Sequence, residues 1–276
     1  MAVALPRLAA VGDNCIDRYV RSTRPSTVGG NALNVAVGLA RAGFPTAYLG
    51  AVGDDPDGRL IVETARAAGV DVSDVRVLAA PTGVTTVELK PGGERVFLEE
   101  AYGASELYRI DQQALDLLSG RAWVHAANLS EAAAAVRQLA AQGHPISYDF
   151  SDRADLQLRA ALCPRLEVAV FSSPSDDESE AASIARAAVA EGAKVAVVTR
   201  GAHGSLAASG DDCFAQPALS GEPIDTLGAG DAFVAAFIVA LLEGAAIPEA
   251  LRRGAASAAE TCEMIGPWPI AKEVRA

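Results

Sequence analysis

The chain has 276 residues, of which 50% are hydrophobic and 5% aromatic, and its 23 basic and 35 acidic residues give a net charge of −12. This length and apolar content suffice for the core of one large α/β domain or of two smaller ones. The excess of acidic residues argues against a surface for nucleic acid or for an anionic membrane.

Local patterns exclude several further classes of protein. The longest strong apolar run, 232–242, is much shorter than the roughly 20 residues of a membrane span, and the N-terminus lacks the basic segment of a signal peptide. We therefore expect a cytoplasmic protein. No Walker-type phosphate loop occurs, and no G-x-G-x-x-G stands between a strand and a helix. The widely spaced cysteines at 15, 163, 213 and 262 are interpreted as buried free thiols.

The first predicted strand, 8–11, runs into the polar segment Gly-Asp-Asn-Cys-Ile-Asp. Ligands of α/β proteins usually bind beyond the carboxyl ends of the strands. Asp13 and Asp17 are therefore candidates for contact with a ligand, although either residue could instead cap a turn.

Paired glycines then open a helix that we expect to end near Ala42. Gly29 and Gly30 allow a ligand to approach the backbone, and Asn31 and Asn34 project amides from the first helical turn. A binding role and a structural role as helix caps are both compatible with this spacing.

The next segment interrupts the alternation of strands and helices. A strand is predicted over 46–52, a helix over 56–68 and a strand over 72–78, followed by a hairpin of strands 83–89 and 94–98 around a turn at 91–93. Arg95 lies on this hairpin, where it either reaches the substrate or occupies a solvated strand face.

From about residue 111 the alternation of strands and helices returns. Strands are expected at 122–126, 145–149, 167–171 and 194–199, and helices at 130–142, 154–162, 176–191, 232–243 and 248–264. This order predicts a parallel sheet with helices on both faces. His125 ends one of the strands and is interpreted as a packed core histidine.

A small-residue turn, Gly228-Ala229-Gly230, leads directly into Asp231 and an apolar helix. Free N–H groups at a helix N-terminus suit an anion, and a carboxylate beside them can act as a base. Phosphoryl transfer to a hydroxyl requires this combination. A plain glycine-rich turn with an aspartate near the helix cap is the alternative.

Three motifs together resemble the signatures of the ribokinase-like (PfkB-type) carbohydrate kinases. They are D-T-x-G-A-G-D at 225–231, G-G-x-x-x-N-x-A at 29–36 and T-x-G-x-x-G at 199–204. The resemblance covers essentially the whole chain and implies an α/β, ribokinase-like fold, with a central mostly parallel sheet, helices on both faces and a small β-sheet lid. It further implies one kinase domain over 1–276, with lid segments at about 16–28 and 82–100.

The resemblance also implies roles for individual residues. Asp231 would deprotonate the acceptor hydroxyl while the N–H groups of Gly228, Ala229 and Gly230 hold the moving phosphoryl group. The substrate would contact residues of three segments: Asp13, Asp17, Gly29, Gly30, Asn31, Asn34 and Arg95. ATP would bind at Thr199, Gly201, Gly204, Gly228 and Gly230.

Magnesium would accompany the ATP. Asp176 lies where the family organises Mg²⁺ through water, although the local sequence departs from the family pattern there. Whether a monovalent cation binds near Asp225 is left open.

Several shorter strings are similar to the branch of this family that acts on fructoselysine. They are 12–17, 29–37, 94–97, 148–152 and the terminal G-P-W at 266–268. This similarity implies phosphorylation of the 6-hydroxyl of fructoselysine or another glycated amino acid, whose ammonium would suit an acidic pocket. The alternatives are a kinase for fructose, ribose, a ketodeoxy sugar acid or a nucleoside, and a non-catalytic sugar-sensing protein. By analogy of fold we expect a homodimer that associates through the lid.

Overall fold

The computed structural model describes residues 4–90, 94–127, 132–152, 155–173, 175–219 and 221–269. The predicted turn at 91–93 lies outside the described residues. The first elements in chain order are β1 (Leu8–Gly12), β2 (Cys15–Val20), β3 (Thr27–Gly29), α1 (Asn31–Arg41), β4 (Thr46–Leu49), β5 (Ala51–Gly53), α2 (Pro56–Ala67), β6 (Arg76–Leu78), β7 (Val84–Leu89) and β8 (Arg95–Ala101).

The rest of the chain alternates more regularly between strands and helices, with short 3₁₀ turns at Gly103–Leu107, Cys163–Arg165 and Gly201–His203. Its elements are α3 (Gln112–Ser119), β9 (Trp123–Ala127), α4 (Ala132–Ala141), β10 (Ile146–Asp149), α5 (Leu156–Leu162), β11 (Val168–Ser172), α6 (Glu178–Ala190), β12 (Val195–Thr199), β13 (Ser205–Ser209), β14 (Asp212–Gln216), α7 (Ala229–Leu242) and α8 (Ile247–Cys262).

The main sheet of the described residues has eight strands in the order β14-β13-β12-β11-β10-β9-β1-β4. All neighbours pair in parallel except β12 with β13 and β13 with β14. The mostly parallel sheet is therefore confirmed, but the sequence analysis missed the antiparallel hairpin of β13 and β14. Its strands are separated by a short turn at Gly210, where φ is 55°, and the pair extends one edge of the sheet.

Helices cover both faces of the main sheet, as the βα alternation predicts. In β11, Val168 and Val170 belong to the core beneath α1, α7 and α8, whereas Ala169 and Phe171 belong to the core beneath α3 to α6. Such strands are apolar throughout because neither face of a parallel sheet meets water. The carboxyl ends of the parallel strands consequently form a single edge, where polar side chains can gather.

A second sheet has four strands in the described residues, in the order β3-β2-β7-β8. It contains both segments that the sequence assigned to a small β-sheet lid, so the presence of that sheet is confirmed. The division of the chain into one kinase domain with these inserted segments stays a prediction.

Three predicted elements differ from the structure. The strand over 46–52 is divided at Gly50 into β4 and β5, and a Cβ on Gly50 would lie 2.3 Å from the Tyr48 hydroxyl. The strand over 72–78 is reduced to β6. Helix α7 begins at Ala229 instead of residue 232, because Gly228 adopts the left-handed conformation (φ 75°) and starts the helix there.

The starts of six of the helices fall into two groups. Helices α2, α3, α5 and α6 begin after an aspartate whose carboxylate accepts a hydrogen bond from the first turn: Asp55, Asp111, Asp155 and Asp177. Helices α1 and α7 begin after Gly30 and Gly228, which supply no such cap. Their first-turn N–H groups are therefore left for other partners.

Candidate active site

Two glycines bring the start of α1 against the segment from Asn14 to Asp17, which includes the start of β2. A Cβ on Gly30 would lie 2.4 Å from the Cα of Asn14, and a Cβ on Gly29 would lie 1.9 Å from the Oδ2 atom of Asp17. Gly30 also has a φ of 108°, which favours glycine. Both glycines, predicted as substrate contacts, are thus already required by the packing of the chain itself.

Asp13 caps helix α1 from a distant position in the sequence. Its carboxylate accepts hydrogen bonds from the N–H groups of Asn31 and Ala32, each at 3.2 Å. Burial raises the pKa of Asp13 to about 6, although these two hydrogen bonds oppose the shift. The geometry thus shows that Asp13 caps the helix, and its contact with a ligand stays a prediction.

The two asparagines of the first turn of α1 connect it to two other carboxylates. Asn31 donates from Nδ2 to Asp149 at 2.8 Å, and Asn34 donates from Nδ2 to Asp231 at 2.6 Å. The Oδ1 atoms of both asparagines are buried and have no hydrogen-bond partner among the described residues. The first turn of α1 therefore bridges the end of β10 and the start of α7, and it keeps two acceptors available.

Asp149 was not among the predicted site residues, although it follows a predicted strand and so met the same criterion as Asp13. Its side chain is buried, and burial raises its pKa. The backbone N–H of Ser151 donates to it at 2.7 Å. Ser151 has a φ of 55°, a conformation that asparagine tolerates better than serine does.

Asp231 lies in the first turn of α7 and is only partly exposed to solvent. Burial raises the pKa of its carboxyl well above the usual range, and the charges of Asp149 and Asp13 act in the same direction. The hydrogen bond from Asn34 and the charge of Arg95 oppose this rise. A carboxylate with a raised pKa is a stronger base than an ordinary carboxylate, which suits it to accept a proton from a hydroxyl group.

Close packing of α1 on α7 holds Asn34 against Asp231. A Cβ on Gly38 would lie 2.5 Å from the Cβ of Ala235, so the two helices approach each other at that point. The hydrogen bond joins residues 197 positions apart in the sequence. Helix packing therefore sets the orientation of the candidate base.

The glycines around the start of α7 differ in what surrounds them. A Cβ on Gly228 would lie 2.3 Å from the Cβ of Pro267, whereas one on Gly230 would have nothing within 4 Å. Gly228 is thus needed for packing, and the space beside Gly230 is open. Together with the absence of a side-chain cap, this leaves the first turn of α7 accessible to an anion.

Asp225, the first residue of the D-T-x-G-A-G-D motif, is completely buried. Its carboxylate accepts hydrogen bonds from the Tyr19 hydroxyl and from the N–H groups of Leu227 and Gly266, the last two at 3.0 Å. It therefore joins strand β2, the turn before α7 and the segment that contains Gly-Pro-Trp.

Arg95 connects strand β8 to the same motif. Its guanidinium donates from Nη1 to the carbonyl oxygen of Thr226 at 3.0 Å, and its Cζ atom lies 5.0 Å from the centre of the Phe97 ring. The contact of Arg95 with a substrate stays a prediction. The alternative, that Arg95 lies on a solvated strand face, is wrong because its side chain is partly buried. Arg95 joins the four-stranded sheet to the start of α7.

The predicted nucleotide-binding turn follows β12, which is separated from β10 by β11. Thr199 pairs with the hydroxyl of Ser172 at 3.2 Å, and a Cβ on Gly201 would meet nothing within 4 Å. A Cβ on Gly204, by contrast, would lie 2.2 Å from the carbonyl oxygen of Gln216. Gly204 is therefore required by the packing of the chain, and the contacts of Thr199, Gly201 and Gly204 with the nucleotide stay predictions.

Asp176 is exposed just before α6, and its carbonyl oxygen accepts a hydrogen bond from buried Arg200 at 2.6 Å. No group of three or more histidine, cysteine, aspartate or glutamate side chains suited to a metal ion occurs in the described part of the chain. The role of Asp176 in organising magnesium stays a prediction.

The remaining predictions concern histidine and cysteine. His125 is completely buried with Nδ1 2.9 Å from the Ser147 hydroxyl, and burial lowers its pKa to about 3, which confirms a core role. All four cysteines are free thiols, as predicted, but only Cys163 is fully buried. No helix of the described residues combines the length and apolar character needed to cross a membrane.

Comparison with known proteins agrees with this architecture. The fold is that of the ribokinases: the structure of Arabidopsis thaliana ribokinase in complex with ribose and ATP superposes with a TM-score of 0.81 at 23% identity, over 95% of this chain and 94% of that one. The model of the pfkB family of carbohydrate kinases matches residues 19–270. The chain therefore belongs to the pfkB carbohydrate kinase family, and the resemblance inferred from its motifs is confirmed.

Two relatives of known activity match over most of their length. Fructoselysine 6-kinase of Escherichia coli is 36% identical over 95% of this chain and 99% of its own. Fructosamine kinase FrlD of Bacillus subtilis is 33% identical over 95% of this chain and 93% of its own. The similarity to the fructoselysine branch therefore extends from the short strings to the whole chain.

Proposed function

We propose that the protein transfers the γ-phosphoryl group of ATP to the 6-hydroxyl of fructoselysine or a related glycated amino acid. The observation that carries the proposal is the position of Asp231, held by Asn34 in the open first turn of α7. The two relatives that share about a third of their residues with this chain are named for fructoselysine and fructosamine.

In the proposed reaction Asp231 removes the proton of the 6-hydroxyl as its oxygen attacks the γ-phosphorus. The bond from that phosphorus to the oxygen bridging it to the β-phosphate breaks, and ADP leaves. The N–H groups of Gly228, Ala229 and Gly230 stabilise the negative charge on the moving phosphoryl group. Asn34 keeps the base oriented toward this turn.

The residues present fit ATP and Mg²⁺ in different ways. Gly230 and Gly201 leave open space for phosphates beside the backbone. Magnesium usually binds through one or two carboxylates, substrate phosphates and several waters, so it requires no cluster of carboxylates from the chain. When bound, Mg²⁺ neutralises the phosphate charges. We further propose Asp176 as a contact to its waters.

The polar atoms of the candidate acceptor site favour a neutral or cationic substrate over a sugar acid. A sugar acid needs an excess of basic side chains around its carboxylate, whereas at Asp231 the charge of Arg95 acts against the charges of two carboxylates, Asp149 and Asp13. Carboxylates and the free carbonyl oxygens of Asn31 and Asn34 accept hydrogen bonds, which hydroxyl and ammonium groups donate. Fructose, ribose and nucleosides are the remaining alternatives, and a sugar-sensing protein without activity is the alternative of another class.

A panel of acceptors tests the proposal. ATP-dependent phosphorylation is measured with fructoselysine, other glycated amino acids, fructose, ribose, ketodeoxygluconate and adenosine. We expect kcat/KM to be highest for fructoselysine or another glycated amino acid, and turnover to stop when EDTA removes Mg²⁺. Parallel assays in potassium and tetramethylammonium salts test the hypothesis of a monovalent cation near Asp225, which predicts faster turnover in potassium.

The panel separates the alternatives. Preference for fructose, ribose or a nucleoside would contradict the acceptor but retain the kinase. Binding of sugars without any turnover would favour the sugar-sensing protein.

We also propose that two copies associate through their four-stranded sheets. Strand β8 is the edge of this sheet in the described residues, and its Phe97 and Leu98 are 44% and 50% exposed. An exposed apolar edge strand is a surface on which another chain can pair. Sedimentation velocity is expected to give a dimer at micromolar concentration, and a monomer under those conditions would contradict this proposal.

A further inference from the structure

Arg200 is a buried cation at the turn after β12, and its burial is not explained by an ion pair. Its side chain is 5% exposed, whereas that of Glu178, which lies 3.5 Å from its Nη1 atom, is 63% exposed. An ion pair with so exposed a partner contributes little to stability, and removing a charge from water costs free energy. The Nε atom of Arg200 is buried as well, without a hydrogen-bond partner among the described residues.

The guanidinium of Arg200 instead contacts the backbone of two loops. Its Nη2 atom donates to the carbonyl oxygen of Asp176 at 2.6 Å, and its Nη1 atom donates to that of His203 at 3.4 Å. Asp176 lies just before α6, and His203 lies in the turn after β12. A guanidinium presents its donors in a rigid, planar fork, so it can hold two such groups in one geometry. Arg200 therefore joins the loop before α6 to the turn after β12.

Other contacts join the same two loops. The N–H group of Ser173 donates to the carbonyl oxygen of Thr199 at 2.9 Å, and the hydroxyl groups of Ser172 and Thr199 lie 3.2 Å apart. Strands β11 and β12 are parallel neighbours, so both loops lie at the carboxyl edge of the main sheet, where ligands of α/β proteins usually bind. Arg200 adds a buried, charged side chain to this connection.

Each loop carries a residue proposed above for the nucleotide or its metal ion. Asp176, whose backbone Arg200 binds, is the proposed contact to the waters of Mg²⁺. Gly201 follows Arg200 directly and leaves open space beside the backbone. The backbone of Arg200 also closes this turn, because its N–H group donates to Gly204 at 2.8 Å and its carbonyl oxygen accepts from His203 at 3.0 Å. Groups that orient a metal contact from behind affect the affinity for the metal.

We propose that Arg200 is a positioning residue that couples the binding of Mg²⁺ to the binding of the nucleotide, by holding Asp176 against the turn that contains Gly201. The inference rests on the proposed function and deepens it, because it names the group that fixes the two candidate contacts relative to each other. Since its side chain is buried, Arg200 acts through these two residues and not by touching the ligands.

The test measures the affinity for AMP-PNP, an ATP analogue whose γ-phosphoryl group is not transferred, by calorimetry with excess MgCl₂ and again with EDTA. The ratio of the two Kd values measures the coupling between metal and nucleotide, and it needs neither an acceptor nor turnover. For the unmodified protein we expect Mg²⁺ to tighten binding by about 10- to 100-fold, within the usual range of a coupling between two ligands. In Arg200→Gln the ratio should fall to within about threefold of one, because loss of a group behind a metal contact weakens metal binding by about 10- to 100-fold.

Two further variants separate positioning from charge and from folding. Arg200→Lys keeps the positive charge but loses the fork, so its ratio should stay close to that of Arg200→Gln. Arg59→Gln removes an exposed guanidinium of α2 and should leave the ratio unchanged. A fraction of protein that fails to fold lowers the number of binding sites that calorimetry finds, whereas the ratio of Kd values reports on the folded fraction alone.

A double variant tests whether Arg200 acts through Asp176. Asp176→Asn removes the carboxylate but keeps the carbonyl oxygen that Arg200 binds, and it should lower the ratio by itself. Adding Arg200→Gln should then change the ratio by less than about twofold, because both substitutions remove the same contribution to metal binding.

The outcomes are distinguishable. An unchanged ratio in Arg200→Gln or in Asp176→Asn, full recovery of the ratio in Arg200→Lys, or a further loss in the double variant would overturn the role of Arg200 while the kinase stands. If the unmodified protein does not bind AMP-PNP in the presence of Mg²⁺, the proposed function itself is overturned, and the role of Arg200 with it.

Discussion

Replacing Asp231 by asparagine should lower kcat by about 10²- to 10⁴-fold, the range that a general base contributes. The substitution keeps the size of the side chain and an oxygen that can accept the hydrogen bond from Asn34. It removes the group that takes the proton of the acceptor hydroxyl. Sugar binding, measured by calorimetry, should change little because the contacts made by the rest of the site remain.

The control for this experiment is Asp116→Asn, which makes the same chemical change at an exposed position of α3 and should retain full activity. The pH profile adds an independent criterion. Since the pKa of Asp231 is raised, activity of the unmodified protein should fall as the pH drops through that pKa and the carboxylate becomes protonated. An Asp231→Asn variant with kcat within threefold of the unmodified protein would contradict the assignment of the base.

Replacing Asp225 by alanine should reduce the free energy of unfolding by about 3 kcal/mol or more, because three donors lose their acceptor in the interior. These donors are the Tyr19 hydroxyl and the N–H groups of Leu227 and Gly266. Burial and the Asp225 carboxylate both raise the pKa of Tyr19, so its hydroxyl stays protonated and continues to donate. The loss is measured by urea denaturation monitored by circular dichroism.

Two variants define how the effect is distributed. Tyr19→Phe removes one of the three donors and should cost about 1 kcal/mol, while Asp116→Ala, at the surface, should cost less than about 0.5 kcal/mol. The double variant, Tyr19→Phe with Asp225→Ala, should lose less free energy of unfolding than the two single variants lose in sum. The reason is that both single changes remove the same hydrogen bond, from Tyr19 to Asp225. A loss below about 1 kcal/mol for Asp225→Ala would show that this carboxylate does not hold the segments together.

The sequence by itself was sufficient for the class of fold and for the turn that begins α7. Apolar strands such as 195–199 alternate with helical segments over most of the chain, and this periodicity is a local property. The Gly228-Ala229-Gly230 turn is equally local, because small residues expose the backbone wherever they occur at a helix start. The family motifs are continuous stretches of sequence, so they too could be identified without the tertiary structure.

The tertiary structure alone decided how these pieces form a site. The hydrogen bond from Asn34 to Asp231 spans 197 residues, and the one from Asn31 to Asp149 spans 118. Contacts of this kind depend on which strands are neighbours in the sheet and on how closely α1 packs on α7. Neither the order of the strands in the sheet nor the packing of α1 on α7 can be predicted from a local sequence pattern.

For the same reason the sequence did not identify the helix that Asp13 caps, and the structure showed that it is α1. It also assigned Gly29, Gly30 and Gly204 to ligands; the structure adds that neighbouring parts of the chain leave no space for a side chain at any of them, and their contacts with ligands stay predictions. A glycine that admits a ligand and a glycine that admits the chain's own backbone have the same sequence signature. Only the position of the surrounding atoms separates the two, and those atoms come from distant parts of the chain.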